Sequence, residues 1–373
     1  MDSQASLFQP YESVRRFPDH EAPFVFPKID ASTPSHGHFP SSMSLPSPTS
    51  FIRSHHRYCL TVGNGKGHDR PWLSLLMSSR SPKSEHLPLF MGKDAISGTV
   101  ELDLTKPEAI REVKVKLTGE TTHHTQETTP FLELSQTLTR QPSGKLTGKF
   151  SLPFSFVLPD DVTVDESNWA MVYPLPPKFQ EKGIIYIDYK IVVTVRRGLF
   201  AVDNSLMTHI VYIPETKAER PSALREQAYL EGKPLAPPSL DPAGWKLLPP
   251  LEVVDTLVPN VTVTAHLSIA HPLSFALGTP IPLYFYLHPA QPARIELDAI
   301  DVRLVRTLVT RGVTGSVRKL DVARAVFWPA PCSSPHKIKL WGEVIAGRRL
   351  LPSFDFTKCS VRYSIVLYPS AFI

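Results

Sequence analysis

The side chains in this sequence that are suited to chemistry are few and poorly assembled. His55-His56 and His123-His124 offer imidazole pairs. Adjacent strand residues face opposite sides of a sheet, however, so such neighbours do not converge on one ion, and no cysteine lies close by. Asp160-Asp161, with Asp165-Glu166, are the acid pairs that glycoside hydrolysis would need. They follow a strand end at Pro159 and read as a solvated polar turn. Cys59, between Tyr58 and Leu60, reads as a buried, inert thiol. Gly63-Asn64-Gly65-Lys66-Gly67 reads as a hairpin turn, because no helical pattern follows to hold a phosphate at its N-terminus. The sequence carries no GxSxG, HExxH, Walker or GxGxxG motif. The expectation is a protein that is not an enzyme and needs no cofactor or metal.

The remaining candidate is electrostatic. Lys114 and Lys116 lie opposite the apolar positions Val113, Val115 and Leu117, and Lys190 lies opposite Tyr189 and Ile191. If their strands are neighbours, the three lysines make a basic exposed face able to hold phosphate or acidic cargo by charge-assisted hydrogen bonds. Reversing all three to Glu is expected to weaken binding of cargo or anionic lipid and to leave thermal stability alone.

The element carrying Lys190 is the clearest in the chain. Ile185, Ile187, Tyr189, Ile191, Val193 and Val195 alternate with a mixed face, which predicts a long half-buried strand from Gly183 onward. Pro174, Pro176 and Pro177 precede it as a loop, since proline lacks the ladder donor. Further strands are predicted at 57–62, 72–78, 95–104, 112–118, 131–139, 149–158 and 206–213. This density of short strands predicts an antiparallel sandwich over 55–214. Residues 215–250 form a connector, with a short helix from Pro221 to Gly232 that sets Leu224 with Ala228. Strands resume at 261–269, 281–287, 296–310, 317–328, 337–345 and 360–367, a second sandwich over 251–373. The fold class is therefore all-β: two tandem antiparallel, immunoglobulin-like sandwiches. Residues 1–54, rich in Pro, Ser and His, are expected to be a disordered arm, read first as an idle tail, with docking of Phe24-Val25-Phe26 on a partner or on the folded body as the alternative.

Composition agrees with this reading. In 373 residues there are 38 prolines, roughly twice average usage, and only 18 glycines, which favours turns and strands over helical bundles. No apolar run approaches the length of a membrane span, and the N-terminus lacks a secretory apolar region. Cys59, Cys332 and Cys359 are odd in number and far apart, so a reducing, cytoplasmic location is expected. Asn260-Val261-Thr262 then reads as a strand start, not a glycan site. The net charge of +5 is too mild to require nucleic acid.

Six segments in order resemble the arrestin-like family, specifically the fungal α-arrestins. They are PLFMGKDAISGTVELDL (88–104), REVKVKLTGE (111–120), SLPFSFVLP (151–159), LPPKFQEKGIIYIDYKIVVTVRR (175–197), LSIAHPLSFALGTPIPLYFYL (267–287) and LPSFDFTKCSVRYSIVLYP (351–369). The resemblance covers about residues 56–373. It implies an arrestin-type fold and an adaptor that binds membrane-protein cargo for trafficking, endocytosis or ubiquitination. It also implies peripheral membrane contact, with recruitment to plasma membrane or endosomes. A ubiquitin ligase is a further implied partner. The family's PPxY ligase motif is missing, however: Pro176-Pro177, Pro237-Pro238 and Pro249-Pro250 are followed at the fourth place by Phe179, Leu240 and Glu252. The last strand runs to within a few residues of Ile373, so tail-release switching is not expected. Two alternatives share the sandwich architecture: an endosomal sorting scaffold of the retromer-subunit type, and a carbohydrate-active enzyme.

Overall fold

Alternation decides which side of each strand is buried. From Ile185 to Val195 every second side chain is less than 2% exposed, while Asp188, Lys190 and Thr194 between them reach solvent. The computed structural model describes residues 53–62, 70–123, 128–140, 144–166, 169–198, 202–254, 262–288, 297, 300–311, 315–331 and 337–368. Residues 1–52 of the expected arm, the glycine turn at 63–67, His124, Asn260 and Cys332 lie outside the described residues.

Twelve strands build the first sandwich. They are β1 (Ser54–Val62), β2 (Arg70–Ser79), β3 (Leu89–Met91), β4 (Ile96–Glu108), β5 (Ile110–His123), β6 (Thr128–Arg140), β7 (Leu146–Phe156), β8 (Asp161–Glu166), β9 (Trp169–Pro174), β10 (Phe179–Glu181), β11 (Ile185–Arg197) and β12 (Asn204–Ile213). One sheet runs β1-β2-β4-β7. The other runs β3-β12-β11-β5-β6, with β10 beside β11, and β8–β9 form a separate hairpin. All pairings are antiparallel except β3 with β12. Leu73, Leu75, Val100 and Phe154 of one sheet face Val113, Val115, Ile191 and Val193 of the other. Two glycines permit close approach: a Cβ on Gly98 would lie 2.2 Å from the Leu76 carbonyl oxygen, and one on Gly119 would lie 2.5 Å from the Phe131 ring.

The expected helix is α1 (Ala223–Glu231). The Ser222 hydroxyl accepts from the Arg225 amide at 3.3 Å, and Gly232 closes the helix at φ 63°. It buries Arg225 and Ala228, whereas Leu224 is 46% exposed, so the expected pairing of Leu224 with Ala228 is not the packed face. No helix among the described residues is long and apolar enough to cross a membrane.

Ten strands follow: β13 (Trp245–Leu247), β14 (Leu251–Val254), β15 (Thr262–Ala270), β16 (Pro280–His288), β17 (Asp301–Thr310), β18 (Ser316–Arg324), β19 (Val326–Pro329), β20 (Ile338–Ile345), β21 (Phe354–Phe356) and β22 (Cys359–Tyr368). One sheet runs β13-β15-β16-β20-β19, with β14 beside β15, and the other runs β18-β17-β22-β21. The strand expected at 317–328 is two strands in different sheets. The chain crosses at the buried Ala325, whose amide donates to the Val302 carbonyl at 2.8 Å. Trp245–Leu247, at the end of the expected connector, is paired with β15.

The two cores touch. Phe356, Cys359, Val361 and Leu308 belong to the second sandwich by strand pairing but are buried in the core of the first. The Phe356 ring lies 4.8 Å from Phe131 and 5.5 Å from Tyr173, in edge-to-face contacts. The gap that Gly119 leaves is thus filled by Phe131, which in turn receives Phe356.

Candidate functional site

The three candidate lysines come together as the alternation predicts. β11 pairs with β5 so that Thr194 faces Lys114, Val192 faces Lys116 and Lys190 faces Thr118. The shared surface is the outer face of the six-stranded sheet. It is not a bare cationic surface, because β5, β6 and β11 also bring carboxylates onto it. Lys190 Nζ donates to Glu120 at 2.6 Å, and Lys116 Nζ lies 2.7 Å from Glu133. Among the described residues, Lys114 has no carboxylate within ion-pair distance. The expectation that charge reversal at all three positions spares stability therefore needs correction. Glu at 116 or 190 would face an existing carboxylate across about 3 Å.

Asp188 is a densely engaged carboxylate on this face. It accepts from Lys178 Nζ at 2.5 Å, from His209 Nδ1 at 2.6 Å and from the amide of Tyr189 at 3.0 Å. Burial by itself pushes its carboxyl up; the His209 hydrogen bond and the Lys178 charge outweigh that and bring it to about 2. Glu112, at the far end, is held below its usual range chiefly by the hydrogen bond from Arg140 at 3.1 Å, with Arg196 at 3.3 Å. Beneath the face, the hydroxyl of buried Tyr189 donates to the Pro176 carbonyl at 2.5 Å, which pins the proline lead-in onto the sheet. Glu112 and Glu120 fall in the same phase as Lys114 and Lys116, so alternation alone marks them as neighbours on this face. The partner strand's Glu133 needed the register.

The other sequence candidates are dispersed. His56 is buried, donating to or accepting from Ser79 at 2.8 Å, while His55 points outward to Ser78 at 2.8 Å. Asp161 and Asp165 lie on β8, not in a turn, and alternate there with buried Val162 and Val164. Cys59 is exposed, contrary to expectation, because β1 turns Arg57, Cys59 and Thr61 outward; its sulfur lies 3.3 Å from the Ser74 hydroxyl. The buried thiol is Cys359, which burial pushes up to about 12.

What the outer face can do is hold charge in register. Its cations and carboxylates are fixed by neighbouring strands, and an incoming anion must compete with Glu120 and Glu133 for Lys190 and Lys116. Lys114 is the position where no such competition arises. In comparison with known proteins, the chain matches no family model and no curated sequence.

Proposed function

We propose that this chain is a non-catalytic, arrestin-like adaptor that binds cytosolic segments of membrane proteins during trafficking, endocytosis or ubiquitination. The observation that carries this reading is the insertion of the β21–β22 hairpin into the first core. Phe356, fully buried between Phe131 and Tyr173, ties two sandwiches together and leaves their outer sheet faces to receive partners. The arrestin-like segments supply the residues at this junction: Gly119, Tyr189 and Phe356 each lie in one of them. The adaptor works in the cytoplasm and reaches plasma membrane or endosomes through its cargo. It recruits any ubiquitin ligase without a PPxY contact.

Proximity labelling by the full chain in living cells tests this. Transient labelling of membrane proteins, reduced by the Phe356→Ala change, is the expected result. A fixed, stoichiometric set of soluble subunits would instead favour the endosomal scaffold.

A further inference from the structure

The four-stranded sheet of the second sandwich ends in β18, which among the described residues pairs only with β17. β18 has nine residues and no proline, so one side of its backbone presents an extended row of donors and acceptors. The other long edges differ. β7 contains Pro153 and β6 contains Pro130, and the Ser155 amide of β7 donates to the Gln136 side chain of β6 at 3.2 Å. β1 packs Tyr58 and Leu60 against the first core. In β18, by contrast, five successive residues, Val317 to Asp321, are exposed, so both faces of the strand are open. Val317 and Leu320, on opposite faces, are 63% and 52% exposed.

The exposed charges of this edge are chiefly cationic. Arg318 and Lys319 have no carboxylate within ion-pair distance among the described residues. Asp321, on the same face as Lys319, is the carboxylate of this stretch and is paired with Arg303 at 2.6 Å. Arg362 lies on β22, on the far side of β17 from this edge, and pairs there with Asp355.

We propose that β18 receives an extended acidic segment of a partner protein as a fifth strand of this sheet. Backbone hydrogen bonds along Ser316–Arg324 supply the affinity. Carboxylates on one face of the added strand meet Lys319, those on the other face meet Arg318, and apolar residues between them cover Val317 and Leu320. This surface is separate from the outer face bearing Lys114, and it holds whether or not the partner is a membrane protein.

The test uses the full chain and a synthetic peptide of about ten residues that repeats Glu-Glu-Val-Thr, so that each face of an added strand carries both carboxylates and apolar groups, long enough to pair with β18. Fluorescence anisotropy should show binding, and amide hydrogen exchange should slow within 316–324. Arg318→Glu with Lys319→Glu, both exposed positions, should weaken binding about tenfold or more while the melting temperature holds. A peptide N-methylated at alternate amides should not bind, since it cannot close a ladder. The proposal is overturned if the methylated peptide binds equally well or if β18 exchange is unchanged. Slowing without peptide, accompanied by dimers in light scattering, would give the edge to a second copy instead. Binding to phosphatidylserine vesicles with no change in β18 exchange would assign the cations to a membrane surface and likewise overturn it.

Discussion

Arg306 and Glu181 stand 125 residues apart in the chain, yet Nη2 of Arg306 donates to Oε2 of Glu181 at 3.0 Å. The bond joins β17 of the second sandwich to β10 of the first. Beside it, Phe354 meets Phe179 edge-to-face at 5.4 Å. Both charged side chains are about a quarter exposed, so the pair sits at the rim of an apolar contact and is partly screened. Glu181→Ala and Arg306→Ala, measured singly and together by urea denaturation, should show a coupling of about 1 kcal/mol. Additive effects would mean that the pair contributes nothing.

Phe356 should matter more. Truncating it to Ala removes a fully buried ring from the first core and should cost about 3–5 kcal/mol. Its backbone is held by β22 of the second sandwich, so the loss should also uncouple the two units. Scanning calorimetry should show one transition for the wild type and two for the variant; one undivided transition at an unchanged temperature for Phe356→Ala would refute the link.

Asp188 supplies a pH signature. Its carboxyl is lowered from 3.8 to about 2, so the folded state holds its proton less tightly than the unfolded chain does. That stabilisation is complete above about pH 4 and is lost as pH falls toward 2. Asp188→Asn should cost about 2 kcal/mol at neutral pH, and should flatten the loss of stability between those limits. Parallel pH profiles for the two proteins would exclude the assignment.

Thr357 is strained. It occupies φ 45° in the two-residue turn between Phe356 and Cys359, with its hydroxyl buried and unpartnered. A β-branched residue is disfavoured there and glycine is not, so Thr357→Gly should stabilise by about 1 kcal/mol in equilibrium unfolding. A destabilised variant would show that the lost methyl packing outweighs the relief.

The lysine face separates into two behaviours. Lys114→Glu should alter stability by less than about 0.5 kcal/mol, as surface changes usually do. Lys190→Glu places a second carboxylate against Glu120 and should cost about 1–2 kcal/mol. If pull-downs of acidic cargo respond to Lys114→Glu alone, with melting unchanged, the binding role rests on that residue.

Legibility followed length. β5, β7 and β11 were readable because each repeats the period of two many times over, and α1 because Ser222 and Gly232 mark its ends. Four elements of three residues (β3, β10, β13 and β21) were not, since so short a segment completes no repeat; yet β10 and β21 carry Glu181, Phe354 and Phe356. The β8–β9 hairpin was obscured by carboxylates that suggested a turn, although buried Val162 and Val164 alternate with them. The outward face of Lys114, Lys116 and Lys190 was legible. Their carboxylate partners were not all so, because Glu133 lies on another strand whose register the sequence does not state.

By itself the sequence determined the all-β class, the division into two groups of strands, and which side chains of each long strand turn inward. These follow from local alternation and from the backbone limits on proline and glycine. Tertiary structure alone decided which cations are neutralised, which long edge strand has one partner among the described residues, and that a phenylalanine of the last hairpin completes the first core. Those outcomes depend on distances between residues far apart in the chain, and no local pattern encodes such distances.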